Sequence, residues 1–339
     1  MIRQSVKRTL LIINPISGTI AKDGLAERVR QRLAPAGFAI ETAVTERPGH
    51  GAELAANAML QDYYAVIAAG GDGTVNEIAS ALRSGSTALG ILPYGSGNGL
   101  ARHLLGSIDI DHALDVIAGD VPVACDYGTV NGVPFFCTFG LGFDAKVSRQ
   151  FAQMQSRGLS SYIKSAIQEY VKFSPTEYEI HTGEHTLRVK AFIVAVCNAS
   201  QYGNNAFIAP QASVRDGLLD IIVIHAGNPV TRALAGVELF TGRINHNVLI
   251  QAFRVRNARI RHLPGPGHID GDPRMMPETM DILCHPGDIR LFTDPGKQRF
   301  RPFITPIESL RVDSSWLMRE NTRIVLKNLK EMLGKIFIL

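Results

Sequence analysis

The sequence predicts an α/β plus β protein: an N-terminal doubly wound α/β domain on a parallel sheet, then a β-rich domain. Three observations predict it. Apolar strand-like runs near 9–13, 38–44, 65–69 and 88–92 alternate with helical patterns near 23–34, 50–60 and 75–83. Such alternation builds a parallel sheet covered by helices on both faces. From about residue 121 the pattern changes to longer β-type segments near 121–130, 133–139, 177–181, 186–197, 218–225 and 248–260, with a helical stretch near 145–172. Runs of strands after a βα region indicate a second domain rather than more of the first sheet. Finally, three of the four early runs end in unusual loops, at the edge where ligands bind in such sheets. The expected divisions are 1–122, 123–295 and a tail, 296–339.

The most informative loop lies in residues 65–82, AVIAAGGDGTVNEIASAL. A short buried strand meets Gly70-Gly71-Asp72-Gly73-Thr74, and Val75, Ile78, Ala79 and Leu82 then follow at the spacing of an amphipathic helix. Glycines let backbone N–H groups approach an anion closely, and a helix N-terminus adds unpaired donors and a positive dipole end. The natural ligand of such a turn is a phosphate. A bare tight turn would explain the glycines but not Asp72, which is expected to serve metal or substrate. The Walker pattern GxxxxGK[ST] is absent, so the phosphates would be held without the P-loop lysine.

Two neighbouring strand ends add to this. Asn14-Pro15-Ile16-Ser17-Gly18 follows the first run, where a plain Pro/Gly turn is the alternative. Leu92-Pro93-Tyr94-Gly95-Ser96-Gly97-Asn98-Gly99-Leu100-Ala101 follows the fourth and opens another helix. Two glycine loops on adjacent strand ends would face one crevice. Thr45, at the end of the second run, reads by itself as an N-cap for the next helix.

Size and composition exclude several classes. At 339 residues and 45 % hydrophobic the chain can bury a real core and hold two domains. Cys125, Cys137, Cys197 and Cys284 are far apart and form no CxxC, so they read as small buried hydrophobes in a reducing compartment. The longest apolar runs, such as Ala191 to Val196, fall well short of the roughly 20 residues of a spanning helix. The apolar run Leu10 to Ile13 enters Asn14-Pro15 with no small-residue cleavage site. The expectation is a cytoplasmic chain with no nucleic-acid partner. Net charge is +4, and residues 297–339 hold nine Lys or Arg against four acids, so the excess positive charge lies in the tail. Within it, Ile324, Val325, Leu326, Leu329, Met332, Leu333 and Ile336 interleave with Arg323, Lys327, Lys330 and Lys335 in an amphipathic pattern. It suits either a peripheral membrane contact or docking on protein, including a second subunit of a homo-oligomer.

GGDGTVNE resembles the signature of the diacylglycerol kinase catalytic family, including its bacterial soluble lipid kinases, and is related to motifs of sphingosine, ceramide and NAD kinases. The 14–18 loop is similar to the family's NPxSG, and the 92–101 loop to its LPxGTxNDxA. The resemblance covers residues 9 to about 295. It implies a small α/β domain paired with a β-sandwich, an NAD kinase/diacylglycerol kinase-like fold with the active site between domains. It also implies that the chain end returns to the first domain beyond about residue 295. ATP would contact Asn14, Thr45, Gly71, Asp72, Gly73, Thr74, Val75, Asn76, Glu77, Gly95 and Ser96. The chain departs from the pattern at Asn98-Gly99, where bacterial diacylglycerol kinases have Asn-Asp; GSGN is closer to the sphingosine and ceramide kinase branch.

Second-domain motifs extend the likeness. Gly140-Leu141-Gly142-Phe143-Asp144-Ala145 matches a dinucleotide fingerprint only weakly, because residues 159–170 look helical where a second strand and its acidic residue are needed. It resembles the family's GxGxDA instead, making Asp144 an interdomain or site residue. The run Asn198, Tyr202-Gly203-Asn204-Asn205, Pro210, Ala212, Asp216-Gly217-Leu218-Leu219-Asp220 is similar to N…YGGG…P.A…DGxLD, with asparagines replacing glycines. By that resemblance Mg²⁺ would be held by Asp216 and main-chain oxygens of Ser213 and Leu218, a set suited to a hard cation. An Asp-Gly hairpin turn is the alternative.

Asp270-Gly271-Asp272-Pro273 resembles the family's DGEP, which supplies the catalytic carboxylate, with Asp272 one methylene shorter than the usual Glu. Asp270, Asp272 and Asp72 are the candidate catalytic residues, and alternation would point Asp270 and Asp272 the same way. The expected activity is ATP- and Mg²⁺-dependent phosphorylation of a hydroxyl on a lipid such as diacylglycerol or a sphingoid base. An NAD kinase-like enzyme and a catalytically silent nucleotide- or lipid-binding protein are the rivals. The latter is suggested by Asn98-Gly99, Asn204-Asn205 and Asp272.

Overall fold

A computed structural model describes residues 6–18, 22–152, 173–183, 185–227, 238–239 and 249–296. Four parallel strands open the chain: β1 (Lys7–Ile13), β2 (Phe38–Val44), β3 (Ala65–Gly70) and β4 (Ala88–Pro93), in spatial order 2-1-3-4. Helices α1 (Leu25–Leu33), α2 (His50–Leu60) and α3 (Asp72–Leu82) connect them, and α4 (Gly99–Leu105) and α5 (Ile110–Ala118) follow. Every residue of β3 and β4 is buried, as two-sided helix cover requires. Leu25, Val29 and Leu33 of α1 and Ile78, Ala79 and Leu82 of α3 form the inward stripes. Helix α5, absent from the expected elements, starts at Asp109, whose side chain accepts the His112 amide at 2.8 Å.

The second region contains β5 (Pro122–Val130), β6 (Val133–Phe135), β7 (Thr138–Gly142), α6 (Phe143–Ala152), β8 (Thr176–Thr182), β9 (His185–Cys197) and β10 (Leu219–His225). After these come β11 (Ile250–Val255), β12 (Asn257–Arg261), β13 (Gly265–Ile269), β14 (Asp272–Met276) and β15 (Thr279–Phe292). They form two layers that share β9. Its first half pairs with β8, continuing through β12, β15 and β5 to β6; its second half lies between β7 and β10, in the layer that also holds β14, β13 and β11. Phe139, Leu141, Val194, Val196, Leu219, Ile221 and Val223 pack between the layers against Phe135, Ile180, Ile260, Met280 and Ile282. The alternate residues Ile193, Ala195, Cys197, Ile222 and Ile224 bury their side chains against Phe173, Ile208 and Ala209. This is the β-sandwich-like domain.

The structure departs from the sequence reading at particular places. The segment 248–260 is two strands broken at Arg256, and β13 to β15 are strands beyond the last strand-like segment expected. Pro266 is tolerated in β13 because β7 pairs only with Gly267 to Ile269, and Pro273 because β14 ends its sheet. Leu291 near the end of β15 lies parallel beside Leu89 of β4, and Ile289, Leu291 and Phe292 join the first core. The chain thus already reaches the first domain within β15, before residue 295. The helical stretch expected near 145–172 is seen as α6, and its part after Ala152 lies outside the described residues. So does the tail after Gly296, with its amphipathic pattern. The four cysteines are buried free thiols, and burial pushes Cys125 and Cys284 up to about 12. No helix among the described residues is long and apolar enough to cross a membrane.

Candidate active site

Three loops meet at the carboxyl ends of β1, β3 and β4. Asn14 donates its amide to Ala69 O at 3.0 Å and its Nδ2 to Thr74 Oγ1 at 2.8 Å, pinning the first loop to the start of α3. That helix begins at Asp72, so Asp72, Gly73 and Thr74 form its first turn, with Gly71 as N-cap. Gly73 faces open space, Thr74 and Val75 are buried, and Ser96 is exposed. The second and third loops touch backbone to backbone. A Cβ on Gly95 would stand 2.5 Å from Gly71 Cα, so a glycine is required there.

Asp72 is where the loops are joined. Its Oδ1 accepts the Gly99 amide at 2.7 Å and its Oδ2 the Asn98 amide at 2.8 Å. The expectation that this carboxylate serves only metal or substrate is therefore corrected: both oxygens satisfy first-turn donors of α4. Desolvation raises its pKa, opposed by these two amides. Asn98, in the left-handed region at φ 53°, closes the third loop by accepting the Gly95 amide at 2.8 Å and donating to Gly95 O at 2.7 Å. At Gly99, where the family pattern has Asp, a Cβ would lie 3.1 Å from Tyr202 O.

Glu77 and Thr45, also expected at the nucleotide, have protein partners too. Glu77 Oε1 accepts the Gly49 amide at 3.1 Å, satisfying the N-cap residue of α2. Thr45 is buried, and its amide donates to Ile13 O at 2.9 Å; it does not cap α2, whose N-cap is Gly49.

The second domain delivers the hairpin of β13 and β14. Ile269 pairs with Asp272, and Asp270 (φ 48°) and Gly271 (φ 84°) make the two-residue turn. The expectation that both carboxylates point the same way fails, because alternation does not run through a turn. Asp270 turns inward. Its Oδ1 accepts the amides of Cys137 and Thr138, and its Oδ2 accepts the Phe136 amide, each at 2.8 Å, with Asn76 Nδ2 at 2.7 Å. Desolvation raises its pKa against the pull of these donors. Asp272 is exposed and pairs only loosely with Arg274, at 3.3 Å. The cleft between the domains is lined by Asp72, Val75, Asn76, Leu100, Phe136 to Thr138, Ser148, Tyr202, His268, Asp270 and Gly271; Asp272, the next residue, is outside this lining.

Asp216 lies on the loop before β10. Its Oδ1 accepts the Leu218 amide at 3.2 Å, and Arg254 Nη1 stands 3.9 Å from its Oδ2. No cluster of three or more His, Cys, Asp or Glu side chains is placed for metal binding among the described residues. A cation here would depend on main-chain oxygens, and one carboxylate with the carbonyls of Ser213 and Leu218 fits a hard ion. The same loop is held by buried Asp126, which accepts the Gly217 amide at 2.8 Å and the Gly287 amide at 2.7 Å.

Sequence reasoning missed three groups beside these loops. Arg102 donates to Gly97 O at 3.0 Å and to Asn205 Oδ1 at 3.1 Å, tying the third loop to the second domain. Burial lowers its pKa, with Asp72 opposing. Lys22 Nζ donates to Ser17 O at 2.5 Å and lies 4.9 Å from the Tyr94 ring centroid. Asp126 is the third. Arg102 and Lys22 carried a faint signal, as single cations beside otherwise uncharged loops.

An α/β domain that presents glycine-bounded helix N-termini to a β-sandwich bearing a two-carboxylate hairpin defines a two-domain kinase fold. Comparison with known proteins agrees. Residues 8–130 match the diacylglycerol kinase catalytic domain, and residues 138–293 match the YegS C-terminal NAD kinase beta sandwich-like domain. The "Diacylglycerol kinase" of Bacillus subtilis (strain 168) is 30 % identical over 74 % of this chain and 86 % of its own length. The "Probable lipid kinase YegS-like" of Pectobacterium atrosepticum is 30 % identical over 71 % of this chain and 81 % of its own. A solved diacylglycerol kinase structure from Bacillus anthracis (strain Sterne), at 20 % identity, shares the fold with a TM-score of 0.67 over 86 % of this chain and 99 % of that one. The chain belongs to the diacylglycerol kinase family of lipid kinases.

Proposed function

We propose that this protein transfers the γ-phosphoryl group of ATP to the hydroxyl of a lipid such as diacylglycerol or a sphingoid base. The observation that carries the reading is the Asn76–Asp270 bond, which docks the carboxylate hairpin of the second domain against the helix following the first glycine loop. In this reading the α3 and α4 N-termini and the loops at Asn14, Gly71 and Gly95 hold the nucleotide phosphates. The lipid hydroxyl attacks the γ-phosphorus, the bond to the bridging oxygen breaks and ADP leaves. Asp272 takes the hydroxyl proton. Asp270, whose two oxygens accept four hydrogen bonds, acts as the interdomain anchor. Asp216 with the Ser213 and Leu218 carbonyls would hold Mg²⁺, which would supply positive charge to offset that of the phosphates. Peripheral contact with an anionic bilayer through the basic residues after 296 belongs to the same reading.

The test is transfer of labelled phosphate from ATP to a panel of diacylglycerol, sphingosine, ceramide, monoacylglycerol and NAD. Label on one or more lipids is expected. Label on NAD alone would replace this reading with an NAD kinase, and ATP binding without transfer would make the protein a silent binder.

A further inference from the structure

Beneath the hairpin turn lies a polar cluster that neither the glycine loops nor the turn carboxylates explain. Asp144, the second residue of α6, is 4 % exposed, and His268 on β13 is 1 % exposed. His268 Nε2 stands 3.2 Å from Asp144 Oδ2, and the same oxygen accepts the Tyr202 hydroxyl at 2.8 Å. On the other side of the ring, Nδ1 accepts the Gly271 amide at 3.3 Å. One ring nitrogen faces a carboxylate, which accepts; the other faces an N–H, which donates. Only the neutral imidazole with its proton on Nε2 satisfies both.

The chain makes room for this pair. Gly140 lies opposite His268 across β7 and β13, and a Cβ there would stand 2.2 Å from His268 Nε2 and 2.3 Å from Asp144 Oδ2. The amide that His268 holds belongs to the residue between Asp270 and Asp272. Asp270 is fixed by its four donors and Asp272 by its pairing with Ile269, and the Gly271 contact holds the one turn residue between them. Tyr202 joins the cluster to the other side of the cleft. Its carbonyl lies against Gly99, whose amide is bound by Asp72, and Asn204 N donates to Gly97 O at 3.2 Å.

We propose that Asp144 and His268 are positioning residues for phosphoryl transfer: Asp144 fixes the tautomer of His268, His268 Nδ1 holds the Gly271 amide, and the turn so held aims Asp272 at the acceptor hydroxyl. Tyr202 links this relay to the third glycine loop. The inference rests on Asp272 as the proton acceptor.

The test uses the full chain and two readouts: steady-state kinetics of lipid phosphorylation, and the ¹H–¹⁵N signal of Gly271, assigned by its loss in Gly271→Asn. Asp144→Asn offers His268 Nε2 an N–H, so the ring proton moves to Nδ1 and opposes the Gly271 amide. That variant is expected to lower kcat by about 10²-fold, the cost of a misplaced reacting group, with KM for ATP unchanged and the Gly271 signal displaced. His268→Asn places an amide oxygen near the Nδ1 position and should retain most of kcat. His268→Gln keeps only the donor toward Asp144 and should behave like Asp144→Asn. In the His268→Asn background, Asp144→Asn should cost little more, because no tautomer remains to be chosen.

Equal loss from Asp144→Asn in both backgrounds, or an unmoved Gly271 signal, overturns the relay. If Asp144→Asn does not fold, Tyr202→Phe removes a single hydroxyl, and an unmoved Gly271 signal in that variant overturns the relay equally. Asp272→Asn separates the two readings. Full kcat there overturns the proton-acceptor assignment and the relay with it, whereas full kcat in Asp144→Asn beside a crippled Asp272→Asn overturns the relay alone.

Discussion

Asn76 Nδ2 and Asp270 Oδ2 lie 2.7 Å apart although 194 positions separate them in sequence. Asn76 is on the second turn of α3, within reach of the first glycine loop, and Asp270 is at the tip of the hairpin. Their bond sets the spacing between the first glycine loop and the carboxylate hairpin. Asn76→Ala leaves a desolvated carboxylate short of one donor, at a cost of about 1–3 kcal/mol. It is expected to lower kcat more than it raises KM for ATP. Urea unfolding and steady-state kinetics check this, and a selective rise in KM for ATP would return Asn76 to the nucleotide.

Asp270 and Asp272 should separate cleanly. Asp272 is exposed and weakly paired, so Asp272→Asn should keep the wild-type unfolding midpoint while lowering kcat by about 10²–10⁴-fold. Asp270→Asn exchanges one accepting oxygen for an NH₂ that faces other N–H groups, so it should lose stability and activity together. The reverse pattern would make Asp270 the base.

The raised pKa of Asp270 gives a pH signature of definite sign. Between its ordinary value of 3.8 and its higher folded value, the folded state binds more protons than the unfolded chain. Stability contributed at this site therefore falls as pH rises through that window, and is greatest below it. Measured as the difference between wild type and Asp270→Asn in urea unfolding at a series of pH values, the wild type should lose ground from about pH 4 upward. Activity should move the opposite way, because only the ionised carboxylate accepts all four donors. A difference independent of pH would show that the desolvation is not realised.

Asp72 holds two loops together, so Asp72→Ala should affect more than catalysis. Freeing the Asn98 and Gly99 amides is expected to cost about 1–3 kcal/mol and to abolish phosphotransfer. Thermal unfolding and transfer assays measure the two effects. Unchanged stability with lost activity would favour a direct role on metal or substrate.

Mg²⁺ should raise Tm of the wild type in the absence of nucleotide, since a ligand of the folded state stabilises it by mass action. Asp216→Asn should reduce that shift. An equal shift in both proteins would place the ion elsewhere.

Much of the first domain was legible because each element carried a local pattern: buried runs for β3 and β4, a stripe at Ile78, Ala79 and Leu82, and glycines at Gly71 and Gly95 where backbones touch. The candidate loops could be named for the same reason, since a strand-to-helix turn rich in glycine has few physical uses. The hairpin of β13 and β14 was hidden by Pro266 and Pro273, which are acceptable only because their missing N–H groups fall where no strand pairs with them, a property of the sheet and not of the segment. The same limit applies to the carboxylates. Their presence at positions 72, 270 and 272 is written in the sequence, but whether each faces solvent, an amide or another domain depends on groups far along the chain. Only the tertiary structure decided that Asp72 binds the start of α4, that Asp270 fills the amides of 136 to 138, and that Asp272 is left exposed. Hydrogen-bond partners are chosen by proximity in space, and no local spacing encodes a contact across 194 residues.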